Sequence, residues 1–228
     1  MFTINAAPNP DRERTALQAA AGGGHLEVVN ALIQAGADIN AAPAQDLGRT
    51  ALQSAAGSGH LGVVNTLLRK NADVNAAPGK IHGRTALQAA ASWRHLEVMK
   101  TLIQANADVN APPGEVFGQI ALNAAAKNGH LEALNMLIQA NADVNMPSTG
   151  GTGQFGDRQT AFQAAAADGN LKVVRALIEA NADVNLVPRN SNCKSPLQEA
   201  EERGYLQIAE ILRQAGARKS GQYTRVLQ

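Results

Sequence analysis

The sequence predicts an all-α solenoid of stacked helix-turn-helix units with projecting hairpin-like loops. Three observations carry this reading. One phrase returns along nearly the whole chain: Thr15-Ala16-Leu17-Gln18, Thr50-Ala51-Leu52-Gln53, Thr85-Ala86-Leu87-Gln88, Ile120-Ala121-Leu122-Asn123, Thr160-Ala161-Phe162-Gln163 and Ser195-Pro196-Leu197-Gln198. The steps are 35, 35, 35, 40 and 35 residues, a period that marks an array of small supersecondary units rather than a globule with one central core. Within each copy the apolar residues recur at helical spacing, as at Leu61, Val64, Leu67 and Leu68.

Each element of a unit follows from its residues. In the second copy, Thr50 is placed to cap a helix, and Gln53 three residues later completes a capping box. Ala51 to Ala56 is a strong helix-forming run with side chains small enough for neighbouring backbones to approach closely. Gly59 offers a left-handed position that ends this helix, and His60-Leu61 opens the next. Asn71 follows the second helix, Asp73-Val74-Asn75 leads away, and Ala76-Ala77-Pro78-Gly79 starts a turning segment. Neither helix is long enough to stand alone, so each has to pack on its copy in the next unit. Two buried rows are expected: Leu17, Leu52, Leu87, Leu122, Phe162 and Leu197, and Leu32, Leu67, Leu102, Leu137, Leu177 and Leu212. The units run approximately over 14–48, 49–83, 84–118, 119–158, 159–193 and 194–220, and residues 1–228 are read as a single domain.

These residues resemble ankyrin repeats. Gly-Arg-Thr-Ala-Leu-Gln-x-Ala-Ala, then Gly-His-Leu-x-Val-Val-x-x-Leu-Leu/Ile, then Ala-Asp-Val-Asn recur in order from about residue 14 to 217. The phrases Ala-Leu-Gln and Asn-Ala-Asp-Val-Asn-Ala-Pro further resemble ankyrin arrays of large multidomain fungal proteins, which often follow a nucleotide-binding signalling module. The resemblance implies a non-enzymatic protein-protein interaction scaffold. Two departures are systematic. Ala16, Ala51, Ala86, Ala121 and Ala161 stand where the family commonly has proline, which only Pro196 keeps. Gln18, Gln53, Gln88, Gln163 and Gln198, with Asn123, stand where histidine is usual. Their amides are expected to bond to a neighbouring loop. A 35-residue unit against a usual 33 implies loops that project farther.

The ends carry their own expectations. Ile4-Asn5-Ala6-Ala7-Pro8 copies Ile39-Asn40-Ala41-Ala42-Pro43, as if the chain begins inside the tail of a preceding unit. It is read as an excised piece or as an array with a truncated first hairpin, with flanking repeats or a signalling domain in the parent chain. Val28, Val29, Leu32 and Ile33 look like residues of an internal unit, so this end is expected to be sticky or covered. Glu199, Glu201, Glu202 and Arg203 give the sixth unit the charge of a cap.

Binding residues are sought where the pattern breaks, because loops on a repeat frame can vary without disturbing the hydrophobic rows. Trp93 and Arg94 replace the small Ser58 and Gly59 of the preceding unit. Trp93 is read either as a partner anchor or as packing over its own turn. Arg94 occupies a place that favours glycine, with backbone strain expected. Leu47, Ile81, Val116, Phe117 and Phe155 in the loops form an apolar strip or else pack on the adjacent hairpins. The glycine-rich 149–158 segment lacks the ending of a phosphate loop and reads as a contact lid or spacer.

Other chemistry finds little support. His25, His60, His95 and His130 recur every 35 residues. Stacked once per unit, they would lie roughly 10 Å apart, too far for one zinc at about 2 Å, so they are assigned structural roles near the turn, with no metal. Asp38, Asp73, Asp108, Asp143 and Asp183 read as turn-capping residues, not a catalytic pair. Cys193 is the only cysteine, which excludes an internal disulfide, and no base stands near it in sequence. No catalytic residue, cofactor or enzyme activity is expected. The formal net charge of +1, from 20 basic and 19 acidic side chains, argues against a nucleic-acid partner. No signal peptide or membrane-length apolar run is visible, which fits cytoplasmic or nuclear residence and no membrane partner. The leading expectation is a monomer that recognises a protein on its concave face and loop tips. A structural spacer without strong affinity is the alternative, and an enzyme on this scaffold is a distant third.

Overall fold

A computed structural model describes residues 4–5, 14–42, 48–79, 82–114, 119–148, 159–186 and 194–219. Its secondary structure is helical, with twelve helices among the described residues. They alternate in length: α1 (Ala16–Gly22), α3 (Ala51–Gly57), α5 (Ala86–Ser92), α7 (Ala121–Lys127), α9 (Ala161–Ala167) and α11 (Pro196–Glu202) have seven residues each. Their partners α2 (Leu26–Gln34), α4 (Leu61–Arg69), α6 (Leu96–Gln104), α8 (Leu131–Gln139), α10 (Leu171–Glu179) and α12 (Leu206–Gln214) have nine.

The chain divides into two compact units. The first comprises 1–121 with 150–156, and the second 122–149 with 157–228. In the first, α3 packs between α1 and α5 while α4 packs between α2 and α6. In the second, α9 packs on α11 and α10 packs between α8 and α12. Within each unit, elements therefore meet their own partner and an adjacent copy, the nearest-neighbour logic of a repeat array.

The capping boxes form as the sequence predicts. Thr50 accepts a hydrogen bond from the Gln53 backbone N–H at 3.2 Å, and Gln53 Oε1 accepts from the Thr50 N–H at 3.0 Å. The same pair closes at Thr15, Thr85, Thr160 and Ser195. Ile120 has no hydroxyl, and Asn123 instead donates to Ser148 Oγ at 2.8 Å and to the Gln159 carbonyl. Its Oδ1 is buried without a partner among the described residues. Pro196 occupies N1 of α11, where its missing N–H costs nothing.

The first apolar row is buried throughout: Leu17, Leu52, Leu87, Leu122, Phe162 and Leu197. In the second row Leu67, Leu102, Leu137, Leu177 and Leu212 are fully buried. Leu32 is a correction, being only half-buried. Its helix packs on α4, and no helix among the described residues lies against its other side. The same asymmetry leaves Val28 50% exposed, where its counterparts Val63 and Val98 are buried. Val29 is buried, and Ile33 is half-buried. The sixth pair carries its charges in ion pairs. Arg213 meets Glu201 at 2.7 Å, Lys219 meets Glu201 at 2.8 Å, Arg203 meets Glu199 at 3.1 Å, and Lys194 pairs with Glu202. Exposed pairs of this kind add little stability, so their contribution is mainly solubility.

Leu87→Ala removes a fully buried side chain from the α5 layer and leaves a cavity beside α3. The expected loss is about 2–5 kcal/mol in urea unfolding; an unchanged midpoint and slope would contradict the core assignment.

Candidate functional site

Before a surface can bind anything, successive pairs must be held in register, and polar side chains do this. Each first-helix glutamine works at both ends. Its Oε1 closes the capping box, while Gln53 Nε2 donates to the Ala76 and Ala77 carbonyls at 2.9 and 3.1 Å. Gln18 bonds Ala41 and Ala42, Gln88 bonds Ala111, and Gln163 bonds Lys194 in the same way. The glutamines thus tie helix to loop, as their sequence position implied.

The repeated histidines are structural. His60 Nε2 lies 3.1 Å from the Gly22 carbonyl, and His95 Nε2 lies 3.2 Å from the Gly57 carbonyl. A carbonyl can only accept, so Nε2 carries the proton in each. Each ring also covers the glycine that ends the preceding first helix. A Cβ on Gly59, whose φ is +77°, would meet the His95 ring at 2.6 Å. In the second unit Asn170 donates to the Ala126 and Lys127 carbonyls at 3.2 and 3.1 Å. A Cβ on Gly169 would meet the Tyr205 ring at 2.8 Å. Imidazole, amide and phenol all serve as a flat group over a glycine turn.

The aspartates close turns as expected. Asp38, Asp73, Asp108, Asp143 and Asp183 each accept from the backbone N–H two residues on, at 2.9 Å. Sequence reasoning missed what the asparagine after each turn does. Asn40 donates to the Asn71 carbonyl at 3.1 Å and accepts from the Asp73 N–H at 2.8 Å. Asn75 does the same with Asn106 and Asp108, and Asn185 with Gly216 and Arg218. Asn5 already plays this part toward Gly36 and Asp38. The signal was present in the 35-residue recurrence of an exposed asparagine, which an isolated loop does not need. Asn71, Asn106, Asn141 and Asn181 adopt left-handed backbone at the helix ends, with φ between +59° and +64°.

Against this frame, the α5–α6 turn differs. Trp93 is the C-cap of α5 and is 62% exposed, so its indole is not absorbed by local packing. Arg94 has φ +58°, where the same position in other pairs is Gly24, Gly59, Gly129, Gly169 or Gly204 with φ between +68° and +77°. The expected strain is therefore present. The turn borders an open hollow of about 580 Å³ lined by Gly59, Leu61, Trp93, Arg94, His95, Leu96, Glu97 and Val98. A corresponding hollow of about 330 Å³ in the second unit runs from Gly169 and Leu171 to Tyr205 and Leu206, the last 77% exposed. Leu47, Ile81, Val116, Phe117 and Phe155 lie outside the described residues, as do Cys193 and the 149–158 segment.

The repeat geometry agrees with comparison to known proteins. The model of the family described as ankyrin repeats (3 copies) matches residues 2–78, 76–148 and 122–222. This chain belongs to the ankyrin-repeat family. The crystal structure of the human ASB11 ankyrin repeat domain is similar, with a TM-score of 0.72 at 23% identity, covering 90% of this chain and 85% of that one. At that identity the likeness establishes the fold. No curated protein matches the sequence. Ankyrin repeats are generally protein–protein interaction modules and typically non-enzymatic. Among the described residues, no helix of this ankyrin protein is long and apolar enough to cross a membrane.

Three substitutions test the frame. Asn75→Ala removes two hydrogen bonds between successive loops and is expected to cost about 1–2 kcal/mol in urea unfolding; no change would remove the asparagine from the register. Arg94→Gly relieves left-handed strain and is expected to add about 1 kcal/mol. Gly59→Ala meets the His95 ring as well and is expected to lose more than that in the same measurement.

Proposed function

We propose that this ankyrin-repeat chain is a non-enzymatic recognition module that engages a protein partner through the Trp93–Arg94 turn. The observation that carries the reading is the exposure of a large aromatic ring beside a hollow, at the one turn where the glycine repeated in the other units gives way to another residue, Arg94. Tryptophan and arginine are the side chains most enriched among residues that dominate interface energy. Burying an indole that is already held at a helix end costs little conformational freedom, so the position is well suited to an anchor. Its strained neighbour supports the same reading, because residues held in unfavourable backbone tend to gather at functional surfaces.

The spacer reading draws on the regularity of the remaining turns, where Gly23-Gly24 and Ser58-Gly59 offer no comparable anchor. The two readings part on one experiment. Trp93 is the only tryptophan, so intrinsic fluorescence reports on this turn alone. Proteins captured from the source cell by the full chain are titrated against it. A partner that uses this turn shifts and blue-shifts the emission. Trp93→Ala should weaken that binding by about 30-fold, the effect of losing roughly 2 kcal/mol, while helical circular dichroism is unchanged. Equal affinity of the variant for every captured protein would reject the anchor and favour the spacer.

A further inference from the structure

A second feature of the first unit is independent of Trp93. Arg14, Arg49 and Arg84 each stand immediately before the capping threonine of a first helix. Because α1, α3 and α5 pack side by side, the three arginines form a column spaced at the helix-packing distance of about 8–10 Å. Two of the side chains can be followed along their helices. A Cβ built on Gly57 would lie 3.5 Å from an Arg49 guanidinium nitrogen, and one on Gly22 would lie 4.0 Å from that of Arg14. Each guanidinium therefore reaches the far end of its own first helix, over a floor of small residues. Ser54 Cβ lies 3.5 Å from the Gly22 position and Ala89 Cβ 3.4 Å from the Gly57 position.

Among the described residues, no carboxylate pairs with this positive charge. The ion pairs of the sixth pair show that the chain places carboxylates beside its basic groups where it uses them for solubility. No hydrogen bond or ion pair involves Arg14, Arg49 or Arg84 among the described residues. Burial, and then the neighbouring Arg49 charge, hold the Arg84 guanidinium below its ordinary value, and it remains protonated at neutral pH. Ser54 Oγ, in the same floor, is buried with no hydrogen-bond partner among the described residues. An arginine half-withdrawn from water and stacked on a like charge costs stability. A carboxylate placed between the guanidiniums would offset that cost through bidentate, charge-assisted hydrogen bonds.

We propose that Arg14, Arg49 and Arg84 form a track for an extended acidic segment of a protein partner. A polyproline II segment repeats every three residues and rises about 3.1 Å per residue, so an acidic residue at every third position meets the column's spacing. Three aligned guanidiniums on a chain of net charge +1 give such a segment register. A nucleic acid would instead need a broad basic field to neutralise many phosphates. The inference rests on the chain being a protein-recognition module, and it names the chemistry of one ligand.

The test titrates the full chain into a fluorescein-labelled peptide of five Glu-Pro-Pro triplets at low ionic strength, with the Gln-Pro-Pro counterpart and a thymidine oligonucleotide as comparisons. The Glu peptide should bind at least about tenfold more tightly than either, the equivalent of one charge-assisted contact. Arg49→Gln/Arg84→Gln should lose at least about tenfold, whereas Lys100→Gln, which removes one positive charge from α6 where the double variant removes two, should lose none. The fourth unit already carries Gln119 at this position, and removing the like-charge stack should leave the thermal midpoint equal or higher. Arg49→Lys/Arg84→Lys keeps the charge, needs no new packing and should still weaken binding through loss of the planar fork. Absence of Glu-peptide binding, equal losses in Lys100→Gln, or tighter binding of the oligonucleotide would each overturn the track. Trp93-dependent capture of a partner alongside such a result would overturn the track alone and leave the recognition module in place.

Discussion

The structure depends on burial between neighbours. Helices of seven and nine residues cannot hold themselves in water, because nucleation fixes several residues for the first hydrogen bond. What makes them persist is the apolar seam each shares with the next copy. The first helices contribute alanines and one large residue each, so backbones come close and Leu17, Leu52 and Leu87 are shut away in the first unit. The second helices contribute the wider side chains, among them Val64, Met99 and Leu102. Each buried leucine is worth about 1.5–3 kcal/mol, and several per seam offset the entropy of ordering a pair. Where a seam has no described neighbour, as on the outer side of α2, the same residue types are partly exposed.

Apolar seams slide easily, and the polar side chains remove that freedom. Glutamine fixes first helices to their following loops, with Asn123 in its place in α7. His60, His95 and Asn170 fix their second helices to the preceding pair, and asparagine fixes loop to loop within each unit. Each uses both its donor and acceptor capacity or its flat face, and each appears once per unit. The period of the sequence is therefore the period of a hydrogen-bond pattern as much as of a hydrophobic one. Conformational strain is confined to few places, and Arg94 is the conspicuous one, beside the exposed ring of Trp93.

Most of the fold was legible because local and nonlocal signals coincide. Thr50 and Gln53 announce a helix start from sequence alone, Asp73 announces a turn, and the recurrence of Leu52 at Leu87 says that both face the same seam. The histidines could be assigned to structure because equal spacing separates them in space. Leu32 was misread because recurrence reports residue type, while burial depends on what lies on both sides. The asparagine bridge was missed because Asn75 looks like an ordinary loop residue until its two partners in the next copy are seen. Trp93 was undecided because helix-end orientation sets whether an indole turns inward, and nothing in the repeat pattern encodes it. The arginine column was written into the Arg-Thr that opens the first three copies, yet that no carboxylate among the described residues pairs with it became visible only with side chains placed.

Function in such a frame belongs to positions the seams do not need. The Trp93 turn and the first-helix arginines both qualify, the first by breaking the repeat and the second by carrying charge that no carboxylate among the described residues answers. Both presuppose that coupling runs from pair to pair and not through a shared centre. Double-mutant cycles in the first unit measure this directly. Val29→Ala combined with Val64→Ala, on adjacent second helices, should show a coupling of about 0.5 kcal/mol or more in urea unfolding, while Val29→Ala combined with Met99→Ala, one pair removed, should be additive. Equal coupling in the two cycles would contradict nearest-neighbour stacking and place these residues around a common core.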